Sequence, residues 1–226
     1  MLQESLVNMA SLRGKFDKDL STLDTMVTEM LNHVINHFNV VQENFENKNE
    51  DVLNTLIKKD EIINDYEDDI NEKAFLIITQ ECPVARDLRT ILSSIRIANE
   101  LERLGDYASN LAKNLIKTEN SHPFNKYVIE YFKPLNEMLK QVKIAFAKRS
   151  IDAAYLVVKL DDDIDTIYEK QVNQFITILK REVNVQAEES GRLLIVIKQL
   201  ERAGDHLTNI AEAIIFLIRA LRITLN

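Results

Sequence analysis

Apolar residues recur at steps of three and four along almost the whole chain, which is the spacing of one face of an α-helix. No sustained alternation with a period of two, bounded by turn residues, occurs, so we expect no β-sheet. The pattern therefore predicts an all-α fold. Two stripes illustrate it: Ile97, Leu101, Leu104, Ala108, Leu111 and Leu115, and Leu200, Ala203, Leu207, Ile210, Ile214, Leu217 and Leu221.

Turn-forming residues divide the chain into six predicted long helices. Asn49 and Ser150 are suited to the N-caps of the second and fifth helices, and Pro83 is suited to the first turn of the third. The linker "NSHPF" begins at Asn120 near the middle of the chain, and Asn184 precedes the sixth helix. We therefore predict two tandem three-helix bundles, in residues 1–119 and 120–226. The predicted helices lie at about 4–47, 50–81, 84–118, 124–148, 151–182 and 186–224.

Two near-copies of one phrase support this internal pseudo-repeat. "LERLGDYASNLAK" begins at Leu101 and "LERAGDHLTNIAE" begins at Leu200, an offset of 99 positions. Each phrase carries a Glu and an Asp four residues apart, and such residues lie on one helical face. We expect these acids to point away from the apolar stripe, at the outside of each bundle.

A second correspondence lies one helix earlier, at an offset of 101. It pairs Asp60 with Asp161 and Asn64 with Asp165, so acidic residues recur on neighbouring helices of both halves. Clustered carboxylates suit hard cations such as Mg²⁺, Mn²⁺ or iron. Alternatively, arginines could balance the charge, or the acids could be solvated surface residues. The candidate arginines are Arg89, Arg96, Arg103 and Arg202.

A glycine lies next to the Asp of each phrase, at Gly105 and Gly204. Glycine inside a helix costs about 1 kcal/mol relative to alanine. We therefore expect a neighbouring helix to approach closely at both positions.

Charge and composition limit the function classes. The net charge of −8 argues against a general nucleic-acid-binding protein, because those usually present a basic face to the phosphate backbone. The single Cys82 cannot form an internal disulfide, which favours a reducing, cytoplasmic location. The longest apolar runs are far shorter than the roughly 20 residues of a membrane span, so we expect no direct membrane insertion.

Other metal chemistries are less well supported by the sequence. His33 and His37 are four residues apart and could chelate a metal, but no acidic triad accompanies them. A carboxylate-bridged di-iron enzyme usually carries Glu-x-x-His motifs, whereas Gly105 and Gly204 stand three residues after Glu102 and Glu201. A helical scaffold without metal remains an alternative, and the convergence of the acidic pairs decides between it and an ion-binding protein.

The sequence resembles the PhoU family through several motifs over nearly the whole chain. They are "ECPVARDLR", "KKDEIINDYEDD", "KLDDDIDTIYEK" and the two repeated phrases. The resemblance implies multinuclear metal sites on two three-helix bundles, occupied by iron, zinc, manganese or magnesium. The implied ligands are Asp161, Asp165, Glu201 and Asp205 in the second bundle and Asp60, Glu102 and Asp106 in the first. Weaker candidates are Asn64, Asn110 and Asn209.

The resemblance also implies a regulatory role without enzymatic activity. PhoU-like proteins are cytoplasmic adaptors that link the ATPase of the phosphate ABC transporter to the phosphate sensor histidine kinase. They repress phosphate acquisition when phosphate is plentiful, and many form homodimers. We accordingly expect a cytoplasmic protein that reaches the inner face of the membrane through its partners.

The two halves differ in ways that affect these expectations. Asn64 removes one acid from the first bundle, so we expect weaker metal retention there. The phrase "PVARDLR" has no close counterpart in the second half, so Arg86, Asp87 and Arg89 form a candidate one-sided partner surface. Helix-start charges and local salt bridges are an equally good account of these three residues.

Overall fold

The computed structural model describes residues 2–118, 125–181 and 187–219, and this part of the chain is built from helices and contains no strand. Over these residues the helices coincide with the predicted ones, so the all-α prediction is confirmed; the predicted end of the sixth helix, at 220–224, lies outside the described residues. The linker at Asn120, the boundary between 119 and 120, and Asn184 lie outside the described residues. The helices are α1 (Leu2–Glu46), α2 (Glu50–Glu81), α3 (Ala85–Lys117), α4 (Asn125–Lys148), α5 (Ile151–Arg181) and α6 (Ala187–Arg219).

Two of the three predicted helix-start residues have the predicted role. Asn49 is the N-cap of α2, and its side chain accepts hydrogen bonds from the backbone N–H groups of Asp51 and Val52. Ser150 Oγ accepts a hydrogen bond from Ala153 N at 3.3 Å at the start of α5. The prediction for Pro83 was wrong, because α3 begins at Ala85 with Val84 as its N-cap. Pro83 therefore belongs to the turn that follows α2.

Each half of the chain forms a three-helix bundle. Helices α1, α2 and α3 pack against one another, as do α4, α5 and α6. Fully buried side chains such as Phe38 and Leu101 fill the first bundle, and Tyr131, Phe132 and Ile197 fill the second. No single helix could bury its apolar stripe alone, which is why three close around one core.

The two bundles pack together through α3 against α6 and α1 against α4. Arg96 Nη2 donates to Glu212 Oε2 at 2.8 Å across the first contact. At the second contact, the rings of Phe45 and Phe132 lie 5.7 Å apart. Aromatic packing and a partly buried ion pair thus hold the bundles in a defined relative orientation.

Tyr107 of α3 and His206 of α6 contact each other across the two bundles. They occupy matching positions of the repeated phrases, and Tyr107 Oη lies 3.2 Å from His206 Nε2. The other ring nitrogen of His206, Nδ1, lies 2.6 Å from Glu100 Oε2. The difference between the two phrases at this position therefore creates a hydrogen bond between the bundles.

Candidate functional site

Both repeat glycines lie where a neighbouring acidic helix comes closest. A Cβ atom added to Gly204 would overlap Asp161 Oδ1 and lie 3.2 Å from Ile164 Cδ1. A Cβ added to Gly105 would lie 2.9 Å from Ile63 Cδ1 and 3.3 Å from Asp60 Oδ1. The expected close approach is therefore present in both bundles. It brings an aspartate of α2 beside the acidic pair of α3, and an aspartate of α5 beside the acidic pair of α6.

Asp161 is the most buried of the predicted ligands, with a relative exposure of 8%. Its Oδ2 accepts a hydrogen bond from Thr208 Oγ1 at 3.0 Å, whereas its buried Oδ1 has no hydrogen-bond partner among the described residues. Burial raises the pKa of Asp161 to about 6, and the charges of Asp165 and Asp205 add to the effect. Asp161 thus has one buried oxygen to which no described group donates a hydrogen bond.

Asp165 and Asp205 share the environment of Asp161 and Glu201. Burial raises the pKa of Asp165, and the neighbouring charge of Glu201 raises it further. Burial and then the charges of Glu201 and Asp165 likewise raise the pKa of Asp205. The four acids act on one another, so the structure brings them to one side of the α5–α6 pair. We call Asp161, Asp165, Glu201 and Asp205 the second acidic cluster.

Lys198 is a member of this site that the sequence reasoning missed. Its Nζ lies 2.6 Å from the Glu201 carboxylate and 5.0 Å from the centre of the Tyr168 ring. The spacing Lys198 to Glu201 was a signal, but such pairs are common on helix surfaces. In the folded protein this lysine places a positive charge against the second acidic cluster.

Asp60, Glu102 and Asp106 form the first acidic cluster. Burial raises the pKa of Asp60, and the Asp106 charge contributes in the same direction. Burial, then Asp106 and Glu67, raise the pKa of Glu102. Glu67 was missed by the sequence reasoning, although it lies one turn from Asp60's neighbour Asn64 on the same helix. Glu67 thus supplies to this cluster the negative charge that Asn64 lacks.

The three asparagine candidates are placed differently. Asn64 is exposed on α2, and Asn110 is half-buried on α3. Asn209 Nδ2 donates to Glu100 Oε2 at 3.2 Å, so this amide contacts the other bundle. Asn64 lies one turn beyond Asp60 on α2, and Asn110 lies one turn beyond Asp106 on the same face of α3.

The arginines proposed as counterions mostly have other contacts. Arg96 pairs with Glu212, and the Arg202 guanidinium lies 5.5 Å from the centre of the Tyr107 ring. Arg103 Nε is 3.9 Å from Glu102 Oε2, and its side chain is largely exposed. Arginine therefore contributes one long, solvated ion pair to the first acidic cluster.

Both clusters carry the oxygen ligands that a hard cation prefers, but these oxygens do not surround a single point in this structure. Among the described residues, no three carboxylate, imidazole or thiolate side chains converge closely enough to hold a metal ion. However, Asp60 Oδ1 and Asp161 Oδ1 are both buried without a hydrogen-bond partner in the described part of the chain. All predicted acidic ligands offer oxygen, which Mg²⁺ and Mn²⁺ prefer. Binding of a metal ion would require side chains to move so that their oxygens face one point.

The histidine pair is not part of either acidic cluster. The His33 ring lies 5.5 Å from the Tyr66 ring, and His37 is buried, with an exposure of 3%. Burial, followed by the charges of His33 and Lys59, lowers the pKa of His37 to about 4. His37 is therefore an uncharged core residue at neutral pH.

The candidate partner surface lies at the start of α3. Arg86 is exposed there, and Asp87 and Arg89 are half-buried. Asp87 also lines a surface cavity of about 370 Å³ beside the α2–α3 turn, together with Val84, whose exposure is 73%. The turn thus presents charged and apolar side chains together on one surface.

Within the described ranges, no helix combines the length and apolar character needed to cross a bilayer.

The chain is similar to proteins of known family over nearly its whole length. The PhoU domain model matches twice, at residues 27–115 and 128–214. A phosphate-specific transport system accessory protein PhoU homolog of Clostridium acetobutylicum is 33% identical over 217 residues, covering 95% of this chain and 99% of the relative. PhoU homolog 1 of Thermotoga maritima is 31% identical, covering 89% of this chain and 88% of the relative.

Solved structures share the fold. The crystal structure of the phosphate transport system regulatory protein PhoU from Streptococcus pneumoniae superposes with a TM-score of 0.86 at 22% identity, covering 92% of this chain and 99% of that one. PhoU from Pseudomonas aeruginosa gives a TM-score of 0.75 at 24% identity, covering 94% of this chain and 99% of that one. The two matched domains fall on the two bundles described above.

Proposed function

Because the chain belongs to the PhoU family, we propose that it is an accessory protein of phosphate-specific transport that represses phosphate uptake when phosphate is plentiful. The observation that carries this proposal is the match of both bundles to PhoU domains, with similarity extending over 95% of the chain in one relative. A single shared bundle would support only a common fold. Agreement over both repeats supports a shared role.

We infer that the protein acts by binding partners and not by catalysis. In this proposal it links the ATPase subunit of the phosphate ABC transporter to the phosphate sensor histidine kinase, as a homodimer in the cytoplasm. Association with the inner face of the membrane then occurs through the transporter. The surface around Arg86 and Asp87 supports one partner contact, since exposed Val84 lies beside charged groups there.

We further propose that the two acidic clusters bind hard metal ions. Buried, unpartnered oxygens of Asp60 and Asp161 support this, because a buried carboxylate oxygen without a partner is unfavourable. Burial raises the pKa values of Asp161, Asp165 and Asp205, and the charges of neighbouring acids raise them further, which supports a site with excess negative charge. A divalent cation would balance it.

Metal uptake is tested by reconstituting purified protein separately with iron, Zn²⁺, Mn²⁺ and Mg²⁺ and measuring bound metal by elemental analysis. We expect at least one equivalent per chain, and reduced uptake in the double variant Asp161→Asn and Glu201→Gln. The variant Glu137→Gln is the matched control, since Glu137 is a half-exposed helix carboxylate paired only locally. Substoichiometric metal in every preparation would contradict this part of the proposal.

Regulation is tested in a strain that lacks the gene. Loss of repression at high phosphate, restored by the wild-type protein, is the expected result, read from expression of a phosphate-regulated reporter. Co-purification with the transporter ATPase and the sensor kinase tests the adaptor role directly. The double variant Val84→Ser and Arg86→Glu should weaken one of these associations, while Lys140→Gln on α4 should not. Normal repression without the protein would contradict the regulatory role.

A further inference from the structure

The second acidic cluster contains its own positive charge. Lys198 precedes Glu201 by one helical turn on α6, and its Nζ lies 2.6 Å from the Glu201 carboxylate. The ammonium also lies 5.0 Å from the centre of the Tyr168 ring, within the range of a cation–π contact. Two groups therefore hold the ammonium over the cluster.

The two side chains of this pair differ in their exposure to solvent. The Glu201 side chain is 13% exposed and the Lys198 side chain is 49% exposed. The carboxylate is thus fixed in the protein, whereas the lysine can swing outward into water without disturbing the core.

An ordinary surface pair in the same protein looks different. Lys140 and Glu137 have the same spacing on α4, but their side chains are 64% and 40% exposed and their closest atoms are 3.2 Å apart. Such pairs contribute little to stability. The Lys198 pair is shorter, and its acidic partner is largely withdrawn from solvent.

The first acidic cluster lacks this feature. The residue that matches Lys198 in the repeat is Asn99, which is neutral. In the orientation that satisfies its neighbours, the Asn99 amide donates to Glu67 Oε1 at 2.7 Å. At the position where the second bundle has a cation, the first bundle has an amide beside an additional acid.

We propose that Lys198 is an exchangeable counterion, whose ammonium occupies the second acidic cluster in the absence of metal and leaves when a divalent cation binds. The inference rests on the proposed metal binding and assigns to Lys198 the control of affinity at one of the two sites. The cation would have to displace the ammonium from Glu201 before it could share that carboxylate with Asp161. The second site is therefore weaker than its four acids imply, and its occupancy is linked to the position of a surface lysine.

Mn²⁺ titration by calorimetry on the full chain tests this exchange. The first acidic cluster is silenced with Asp60→Asn and Glu102→Gln, and Lys198→Gln is compared with the parent in that background. We expect Mn²⁺ to bind about tenfold more tightly to Lys198→Gln, within the range typical of coupling between two ligands. Lys140→Gln, which removes the ordinary surface pair, should leave the affinity unchanged.

The reciprocal variant transfers the lysine to the first bundle. Asn99→Lys is introduced where Asp161→Asn and Asp205→Asn have silenced the second acidic cluster, and Mn²⁺ should then bind about tenfold more weakly than to the parent. Thermal unfolding without metal is the second readout. Lys198→Gln should lower the melting temperature of the metal-free protein and increase the stabilisation produced by saturating Mn²⁺.

The outcomes separate this inference from the function on which it rests. If the parent binds Mn²⁺ and Lys198→Gln binds it with equal or lower affinity, the exchange is wrong and metal binding stands. If neither the parent nor any variant binds Mn²⁺, the exchange is wrong, and the reconstitutions with iron, Zn²⁺ and Mg²⁺ decide whether metal binding is wrong as well. Circular dichroism of each variant confirms that the comparison is made between folded proteins.

Discussion

The two acidic clusters occupy matching helical positions but balance their charge in different ways. In the first, Asn64 removes one acid and Glu67, one turn further on, contributes another. In the second, all four acids are present and Lys198 supplies a positive charge. The repeat thus fixes where carboxylates lie, whereas residues one turn away determine how much of their charge remains unbalanced.

The clusters also differ in how tightly their helices pack. The aspartate of the second cluster, Asp161, lies closer to Gly204 than Asp60 lies to Gly105. Asp161 also accepts a hydrogen bond from Thr208, the residue that matches Ser109 of the first bundle. The second cluster is therefore the more confined of the two, and the glycine matters more there.

The largest expected difference between the bundles is in their response to acid. The pKa of His37 is about 4 in the folded protein and 6.5 in the unfolded chain, so the unfolded chain binds the proton first and the first bundle loses stability from pH 6.5 to 4. The pKa of Asp161 is about 6 when folded and 3.8 when unfolded, so the second bundle gains stability from pH 6 to 3.8. The two contributions oppose each other.

Urea denaturation of metal-free protein between pH 7 and pH 4 separates these contributions. Over that range, Asp161→Asn should lose about 2 kcal/mol more free energy of unfolding than the wild type, because it lacks the gain from protonation. Over the same range, the free energy of unfolding should fall by about 3 kcal/mol less in His37→Gln than in the wild type. Parallel curves for all three proteins would show that neither group titrates as described.

The next largest effect concerns the repeat glycines. Gly204→Ala should destabilise the protein by about 2 kcal/mol, because the new methyl group would overlap buried Asp161 and push α5 away from α6. Gly105→Ala should change stability by less than about 1 kcal/mol, since the end of Ile63 can rotate and alanine favours the helix.

Gly191→Ala is the control for this comparison. A Cβ there meets no atom within 4 Å, so the substitution should stabilise the protein by up to about 1 kcal/mol. Urea unfolding of the three variants gives the ranking. Equal destabilisation by Gly204→Ala and Gly105→Ala would mean that the two helix pairs are equally close.

The smallest expected effect comes from making the first cluster more like the second. Asn64→Asp adds a carboxylate one turn from Asp60, and it should destabilise metal-free protein by a few tenths of a kcal/mol because residue 64 is exposed. The added ligand should tighten Mn²⁺ binding at the first site, and Asp165→Asn should weaken binding at the second. Calorimetry in single-site backgrounds measures both. An unchanged affinity in Asn64→Asp would remove residue 64 from the ligand set.

Much of the fold follows from the sequence because its signals are local. Helical spacing of apolar residues, scarce glycine and proline, and the caps at Asn49 and Ser150 each act within a few residues, and they gave the helix bounds closely. The repeat also matched α2 and α3 to α5 and α6, the helices that carry the two acidic clusters. The family could be inferred from the sequence only because several motifs occur together in the expected order and at the expected spacing.

The rest of the site depends on distances between helices, which no local pattern specifies. The burial of Asp161 arises from the approach of α5 to Gly204, and the contact of Asn209 with Glu100 arises from the packing of the two bundles. Lys198 was missed for a related reason. A lysine three residues before a glutamate is an ordinary surface pair unless the glutamate is withdrawn from solvent by a second helix.

The contact between Tyr107 and His206 has a consequence for how the two halves associate. Corresponding residues of the two repeats touch, 99 positions apart, and this is the contact that a two-fold axis produces between identical subunits. Here both halves belong to one polypeptide, so their association is unimolecular and does not weaken on dilution. The α3–α6 contact can therefore include a hydrogen-bonded polar cluster and persist at any protein concentration.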